Sequence, residues 1–161
     1  MRTHDLTLLT DLYQLTMMNG YLKNGKEKDI AVFDLFFRRN SVITYSVAAG
    51  LEQAVEYIRN IHFTESDIKY LRSLGLFDED FLAYLKDFRF TGDLYAVPEG
   101  TLVFPEEPIL TVRAPLCEAQ LLETALLNIV NHQTLIATKS AKVAYAAKGD
   151  TVMEFGLRRA Q

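Results

Sequence analysis

The stretch GDLYAVPEGTLVFPEEPILTVRAP, residues 92–115, decides how this chain is organised. It alternates strand-forming runs with turns at Pro98–Gly100 and Pro105–Pro108. Because each proline removes a donor from a strand ladder, these turns belong at bends or sheet edges. The stretch therefore predicts an antiparallel sheet or a small sandwich-like unit. The acidic residues of the second turn are expected to be solvated, since no His or Cys stands beside them at metal-ligand spacing.

The residues before this stretch predict helices and strands in turn. Apolar residues at helical spacing predict a first helix from Thr10 or Asp11 to about Lys23. Residues 30–38 alternate in the manner of a strand, and a shorter strand is expected near 43–47. Three further helices are expected: one opened by Gly50 and running to about Asn60, one opened by Thr64 with Asp67 and ending near Gly75, and one capped by Asp78.

The residues after it predict two helices and a strand. The helices are expected over 116–130 and 135–147, and TVMEF at 151–155 is expected to form a parallel strand. This order of elements predicts an α/β fold with at least two layers. A buried parallel strand needs neighbours on both sides, so residues 1–161 are expected to be a fragment or one chain of a larger assembly.

Composition excludes several classes of function. With 161 residues, of which 49% are apolar, the chain can form one domain or one domain and the start of another. A net charge of -4 disfavours nucleic acid and membrane surfaces as partners. The single cysteine, Cys117, suits a reducing compartment and is expected to fill space in the core rather than to act as a thiolate. We expect a soluble, cytoplasmic protein.

Four motifs carry side chains suited to binding an anion or a flat ring. EFGLRR at 154–159 places Arg158 just beyond the carboxyl end of the expected strand, where α/β folds bind ligands and where a guanidinium group can hold a phosphate or carboxylate. Tyr13 in DLYQLTM could stack on a ring. Arg38 and Arg39 end the first strand, and Lys139 lies among the phosphate-type donors of HQTLIATKSAK. Taken alone, each motif also has a surface or packing explanation, which is the more common one for EFGLRR and for Tyr13 and an equally good one for HQTLIATKSAK.

Other chemistries leave no signature in the sequence. The Walker P-loop, the G-x-S-x-G elbow and the G-x-G-x-x-G fingerprint are absent. The three histidines, His4, His62 and His132, do not stand at metal-ligand spacing from one another, so no metal site is predicted.

Six motifs occur in order along the chain: TDLYQLTM, FDLFFRR, AAGLEQAVEYI, PEGTLVFPEEPILTV, NHQTLIATKSAK and EFGLRRAQ. On these motifs the chain resembles nicotinate phosphoribosyltransferases from about Leu6 to Gln161, and its TLIATKSAK helix also resembles a segment of quinolinate phosphoribosyltransferases. The resemblance implies an N-terminal α/β domain over 1–113, strand-rich over 91–113, followed over 114–161 by the start of an incomplete α/β barrel.

The resemblance also implies a reaction and roles for residues. Nicotinate and phosphoribosyl pyrophosphate would give nicotinate mononucleotide and pyrophosphate, with Mg²⁺ and with ATP hydrolysis coupled through a phosphohistidine, in NAD biosynthesis. Phe155 would stack on the pyridine ring, and Tyr13 would stack on its other face from the partner subunit of a homodimer. Arg158 would contact the phosphate or the nicotinate side, while Arg38, Arg39 and Lys139 would bind phosphate.

The family's phosphorylated histidine and its pyrophosphate loops lie beyond EFGLRRAQ, and none of the three histidines falls at that motif. No catalytic residue is therefore assigned in this chain, and the isolated chain is expected to be inactive without a partner chain that carries the rest of the barrel. Quinolinate or nicotinamide phosphoribosyltransferase is the alternative within the class. A truncated, non-catalytic interaction or regulatory subunit is the alternative from another class.

Overall fold

Helices and strands succeed one another in groups along the chain, as expected for an α/β protein. The computed structural model describes residues 6–39 and 43–156. Within them lie helices α1 (Leu12–Lys23), α2 (Leu51–Asn60), α3 (Glu65–Ser73), α4 (Glu79–Lys86) and α5 (Leu116–Ala147), and strands β1 (Ile30–Leu35), β2 (Ser46–Val47), β3 (Asp93–Ala96), β4 (Leu102–Val103) and β5 (Leu110–Pro115).

The main sheet is antiparallel and has the order β1-β5-β3. Val112 in the central strand faces Phe33 on one side and Leu94 on the other. Leu35, Leu110, Val112 and Ala114 are buried beneath the helices. A second pair, β2 with β4, is also antiparallel. The antiparallel sheet predicted from residues 92–115 is confirmed.

The first strand is shorter than predicted, because it ends at Leu35 and not at Arg38. Its last rung pairs Leu35 with Leu110, and the Ile109 amide donates to the Leu35 carbonyl at 2.8 Å. The ladder stops there because Pro108 has no amide proton to donate. The Phe37 carbonyl accepts from the Glu106 amide at 3.1 Å instead, so residues 36–39 run along the turn between β4 and β5.

The two predicted C-terminal helices are one continuous helix, and the prediction of a break between 130 and 135 is wrong. Helix α5 has 32 residues, which makes it about 48 Å long. No Gly or Pro interrupts it, and the polar run from Asn131 to Thr134 does not end it, since Thr134 and Thr138 continue the buried stripe of Leu126 and Val130. Although α5 is long, no helix in the described part of the chain is apolar enough over its length to cross a membrane.

The predicted strand TVMEF is also wrong for this structure. Residues 151–155 are exposed and pair with no strand in the described part of the chain. Helix α5 ends at Lys148, which adopts the left-handed conformation, and the Asp150 amide donates to the Ala147 carbonyl at 2.9 Å. A lone extended segment has no ladder partner to stabilise it.

Most helix starts agree with the sequence, but the buried face of α1 does not. The Thr64–Asp67 capping box is present, and Asp11, Gly50 and Asp78 precede their helices as predicted. In α1 the buried residues are Gln14, Leu15, Met18 and Asn19, whereas Leu12 is half exposed. The buried face of α1 is therefore rotated relative to the predicted apolar face, so that it includes the amide side chains of Gln14 and Asn19.

The division of the chain at residue 113 stays a prediction. Strand β5 continues to Pro115, and the first half of α5 is buried against the elements that precede it. Beyond residue 134 the larger apolar side chains of α5 are exposed: Leu135, Ile136, Val143 and Tyr145.

Gly92 precedes β3 where the chain comes very close to the central strand. A Cβ atom at Gly92 would lie 2.6 Å from the Arg113 carbonyl oxygen and 2.8 Å from the Ala114 Cα. Real Cβ atoms do not approach a backbone this closely, so only glycine fits here without a shift of β3 or β5.

Replacing Gly92 with alanine is expected to lower the free energy of unfolding by about 1–3 kcal/mol through overpacking against the backbone. The matched control is Gly20→Ala within α1, where an added Cβ meets no atom within 4 Å. That change should stabilise the protein by about 0.5–1 kcal/mol, since glycine costs conformational entropy in a helix. Urea unfolding followed by circular dichroism measures both values. A Gly92→Ala protein as stable as the wild type would contradict the close approach.

Candidate functional site

Helix α1 lies antiparallel along the first half of α5. Within α1, the Met18 carbonyl lies 3.7 Å from the Cys117 thiol at the start of α5. At the N-terminal end of α1, the Asp11 carboxylate accepts from the Thr124 hydroxyl of α5 at 2.9 Å. The contact between the two helices therefore runs from Cys117 to Thr124 on α5, and it places Tyr13 beside Glu123.

The hydroxyl of Tyr13 is held while its ring is open to solvent. Its Oη atom donates to Glu123 Oε1 at 3.2 Å and accepts from Gln14 Nε2 at 2.8 Å. The side chain is nevertheless 48% exposed. Partial desolvation, and next the charge of Glu123, raise the pKa of Tyr13 above its ordinary value, which keeps the phenol protonated as a donor. An anchored hydroxyl with an exposed ring is the arrangement a stacking tyrosine needs.

The buried amide of Gln14 links Tyr13 to α5 through hydrogen bonds. Gln14 is fully buried, and its Nε2 atom donates to both Tyr13 Oη and Glu123 Oε2 at 2.8 Å. Its Oε1 atom accepts from the Gln120 amide. Both ends of the buried amide are thus satisfied, as burial of a polar group requires.

Neither Gln14 nor Glu123 was singled out from the sequence. The available signal was that Gln14 and Gln120 occupy helix positions that face the protein, where an amide needs a designated partner. Which residue is that partner depends on how α1 lies against α5, and one sequence does not contain that information.

A shallow concavity of about 510 Å³ opens beside this corner along α5. Its walls come from Asp11 at the start of α1 and from about three and a half turns of α5, and they combine polar and apolar side chains. The lining residues nearest Tyr13 are Asp11, Glu123, Thr124, Leu127, Asn128 and Asn131.

The predicted phosphate-binding residues Arg38, Arg39 and Lys139 are all exposed. Arg38 and Arg39 follow β1, and no carboxylate in the described ranges forms an ion pair with either. Lys139 stands next to Thr138, whose hydroxyl accepts from the Val47 amide at 2.9 Å. Lys139 lies about 24 Å along the axis of α5 from Glu123, and therefore away from Tyr13.

Phe155 follows the C-terminal end of α5, and Arg158 lies outside the described residues. The Phe155 ring is 72% exposed. Ala147 is about 36 Å along the helix axis from Glu123. The chain turns back at Asp150, and the residues from there to Phe155 can span no more than about 18 Å. Tyr13 and Phe155 of one chain therefore cannot close on the two faces of one ring.

Across 6–39 and 43–156, no three His, Cys, Asp or Glu side chains come close enough to hold one metal ion together.

Cys117 is part of the core, as its sequence context predicted. It is fully buried at the start of α5. Burial, with the charges of Glu27 and Glu118 nearby, raises the pKa of its thiol to about 12. A thiol in this state is neither a nucleophile nor a metal ligand at neutral pH.

Comparison with known proteins agrees with the fold. A family model described as the nicotinate phosphoribosyltransferase (NAPRTase) N-terminal domain matches residues 8–131. The fold is thus that of the N-terminal domain of a phosphoribosyltransferase. The chain belongs to the nicotinate phosphoribosyltransferase family, which confirms the resemblance carried by its six motifs.

Relatives from distant organisms match nearly the whole chain. A nicotinate phosphoribosyltransferase of Bacillus subtilis is 53% identical over 156 residues, which are 96% of this chain and 32% of the relative. One from Mycobacterium tuberculosis is 46% identical over 160 residues, 99% of this chain and 34% of the relative. The chain therefore spans about a third of the length of the curated relatives it matches.

Solved structures give the same result. The crystal structure of human nicotinic acid phosphoribosyltransferase superposes with a TM-score of 0.85 at 40% identity, over 95% of this chain and 32% of that one. A nicotinate-nucleotide pyrophosphorylase from Pyrococcus furiosus shares the fold at 21% identity, with a TM-score of 0.71 over 100% of this chain and 34% of that one.

The burial of Cys117 makes a chemical prediction. In the folded protein at pH 7 to 8 the thiol is expected to resist modification, because it is inaccessible and protonated. In denaturant, an aromatic disulfide reagent should react with the thiol and release one of its own thiolate anions per chain. With the folded protein, the same reagent should release almost none over minutes. Stoichiometric reaction of the native protein within seconds would contradict this placement.

Proposed function

We propose that this chain is the N-terminal part of a nicotinate phosphoribosyltransferase that acts in NAD biosynthesis in the cytoplasm. The enzyme transfers the phosphoribosyl group of phosphoribosyl pyrophosphate to nicotinate, with release of pyrophosphate and with ATP hydrolysis. The family match over residues 8–131 carries this proposal. Quinolinate and nicotinamide are the competing substrates, and the 53% identity to a nicotinate enzyme favours nicotinate over both.

In this proposal Tyr13 and Phe155 form the two faces of the nicotinate site. A flat, electron-poor ring is stabilised between two aromatic side chains, by roughly 0.5–1.5 kcal/mol per pair beyond the area that it buries. Tyr13 suits the role because its ring is exposed while Glu123 and Gln14 hold its hydroxyl.

The length of α5 supports placing the two faces in different subunits. One chain cannot bring Tyr13 to Phe155, because α5 separates them by more than the following segment can span. In a twofold homodimer each subunit would give one face to its partner's site and receive one in return, so two equivalent sites would form.

The remaining predicted residues would handle the charged parts of the substrates. Arg158 would hold the phosphate or the nicotinate carboxylate, for which its planar fork is suited. Arg38, Arg39 and Lys139 are exposed cations, and they would neutralise phosphate. When bound, Mg²⁺ would neutralise the charge of the pyrophosphate; it belongs to the proposal, as does ATP, through the family resemblance alone.

Complementation between damaged subunits tests the shared site. In a complete family enzyme that begins with this chain, Tyr13→Ala and Phe155→Ala should each be weakly active. Co-expressed with different tags and purified as a mixed dimer, they should give one site that lacks both rings and one that is intact. Activity should then return towards half of the wild-type value. Without recovery in the mixed dimer, both rings would belong to the same chain's site.

A second comparison tests the assignment of the anion contacts. Arg158→Ala in the complete enzyme is expected to lower kcat/KM by about a hundredfold, since loss of a desolvated charge contact costs a few kcal/mol. Arg38→Ala and Arg39→Ala should have smaller effects, because both side chains are exposed to water. Steady-state kinetics with nicotinate measure all three. Near-normal kcat/KM for Arg158→Ala would remove its assigned role.

A further inference from the structure

Three side chains at the start of the α1–α5 contact form a closed triangle of hydrogen bonds. Tyr13 Oη donates to Glu123 Oε1 at 3.2 Å, and Gln14 Nε2 donates to both Tyr13 Oη and Glu123 Oε2 at 2.8 Å. Each member of the triangle contacts the other two. The tyrosine hydroxyl acts once as donor and once as acceptor. Because both hydrogen bonds form only in one orientation of the side chain, they fix the position of the ring.

The triangle is fixed to both helices. Gln14 is fully buried in α1, and its remaining oxygen accepts from Gln120, one turn before Glu123 on α5. On the other side, the Asp11 amide donates to the Thr124 hydroxyl at 3.3 Å, and this hydroxyl donates back to the Asp11 carboxylate at 2.9 Å. Polar contacts on both sides of the triangle thus prevent the start of α1 from sliding along α5.

We propose that Glu123 and Gln14 are positioning residues for the nicotinate site, because they hold the exposed ring of Tyr13 in one orientation before substrate arrives. The inference rests on the proposed function for its kinetic consequence, but the positioning itself is a property of this chain. Neither residue touches substrate; both act through Tyr13. Because α5 keeps Tyr13 from Phe155 of its own chain, Glu123 of one subunit would influence the binding of nicotinate in its partner.

The physical gain is preorganisation. An exposed tyrosine samples several staggered side-chain rotamers, and a substrate binds with an affinity reduced by the fraction of rings in the competent one. Removal of the carboxylate should therefore raise KM for nicotinate by roughly three- to tenfold, with kcat changed by less than about twofold. A residue that served only general stability would not produce this division between KM and kcat.

A double-mutant cycle tests the coupling in the complete enzyme that carries this chain. Tyr13→Phe keeps the ring and removes only the hydroxyl, so it is the mildest way to break the triangle. Tyr13→Phe, Glu123→Ala and the double variant should all raise KM for nicotinate to a similar extent, since each breaks the same contact. Glu56→Ala, which removes an exposed carboxylate on α2, is the matched control and should leave KM unchanged. Multiplicative effects of the two single changes, or a normal KM for Glu123→Ala, would overturn the proposal.

A measurement on the 161-residue chain separates this proposal from the proposed function. Three-bond couplings across the Cα–Cβ bond of isotopically labelled Tyr13 should have the values of one rotamer in the wild type and in Glu56→Ala. In Glu123→Ala they should move towards rotamer averages. Unchanged couplings in Glu123→Ala would overturn the proposal whatever the kinetics show. If the Tyr13 couplings become averaged in Glu123→Ala but the complete wild-type enzyme does not turn over nicotinate, the positioning of Tyr13 stands and the proposed function is rejected.

Discussion

The rest of the structure depends on the burial of the first half of α5. From Cys117 to Val130 this helix supplies more buried side chains than any other helix or strand. Its first amide donates to the Asp29 carbonyl and so fixes where β1 begins. Further along α5, the buried hydroxyls of Thr134 and Thr138 accept from the amides of Ala49 and Val47. Where α2 starts, Gly50 lies so close that an added Cβ would be 3.2 Å from the Ile129 carbonyl oxygen.

This dependence explains which parts of the fold the sequence could predict. Local patterns were sufficient for the capping box at Thr64, for the start of α4 after Asp78 and for the antiparallel stretch 92–115, because each is decided by residues near one another in sequence. The end of β1 was not predictable locally, since it depends on Pro108 in a strand connection some 70 residues away. The expected strand over 151–155 failed for a related reason: a strand is defined by the partner with which it pairs.

The residues of the candidate site also separate into those that local sequence could predict and those that depend on distant contacts. Tyr13 and the cations could be named from residue type and motif, because both are read directly from the sequence. Gln14 and Glu123 could not, since their importance arises from the way in which two helices meet. A fully buried glutamine in α1 is costly unless its amide finds both a donor and an acceptor, and Gln120 and Glu123 on α5 supply them. The polar group that shapes the site therefore also specifies how α1 is aligned.

An uninterrupted helix between two candidate site positions fixes the distance between them. Between Glu123 and Ala147 every inserted residue would move the far end by about 1.5 Å and turn it by about 100° relative to Tyr13. A loop in the same place would absorb such a change, as loops accept insertions with little cost. The sequence of this segment is free to vary on its exposed side, but its length is not. Insertions and deletions between these two positions should therefore be selected against even where single substitutions are neutral.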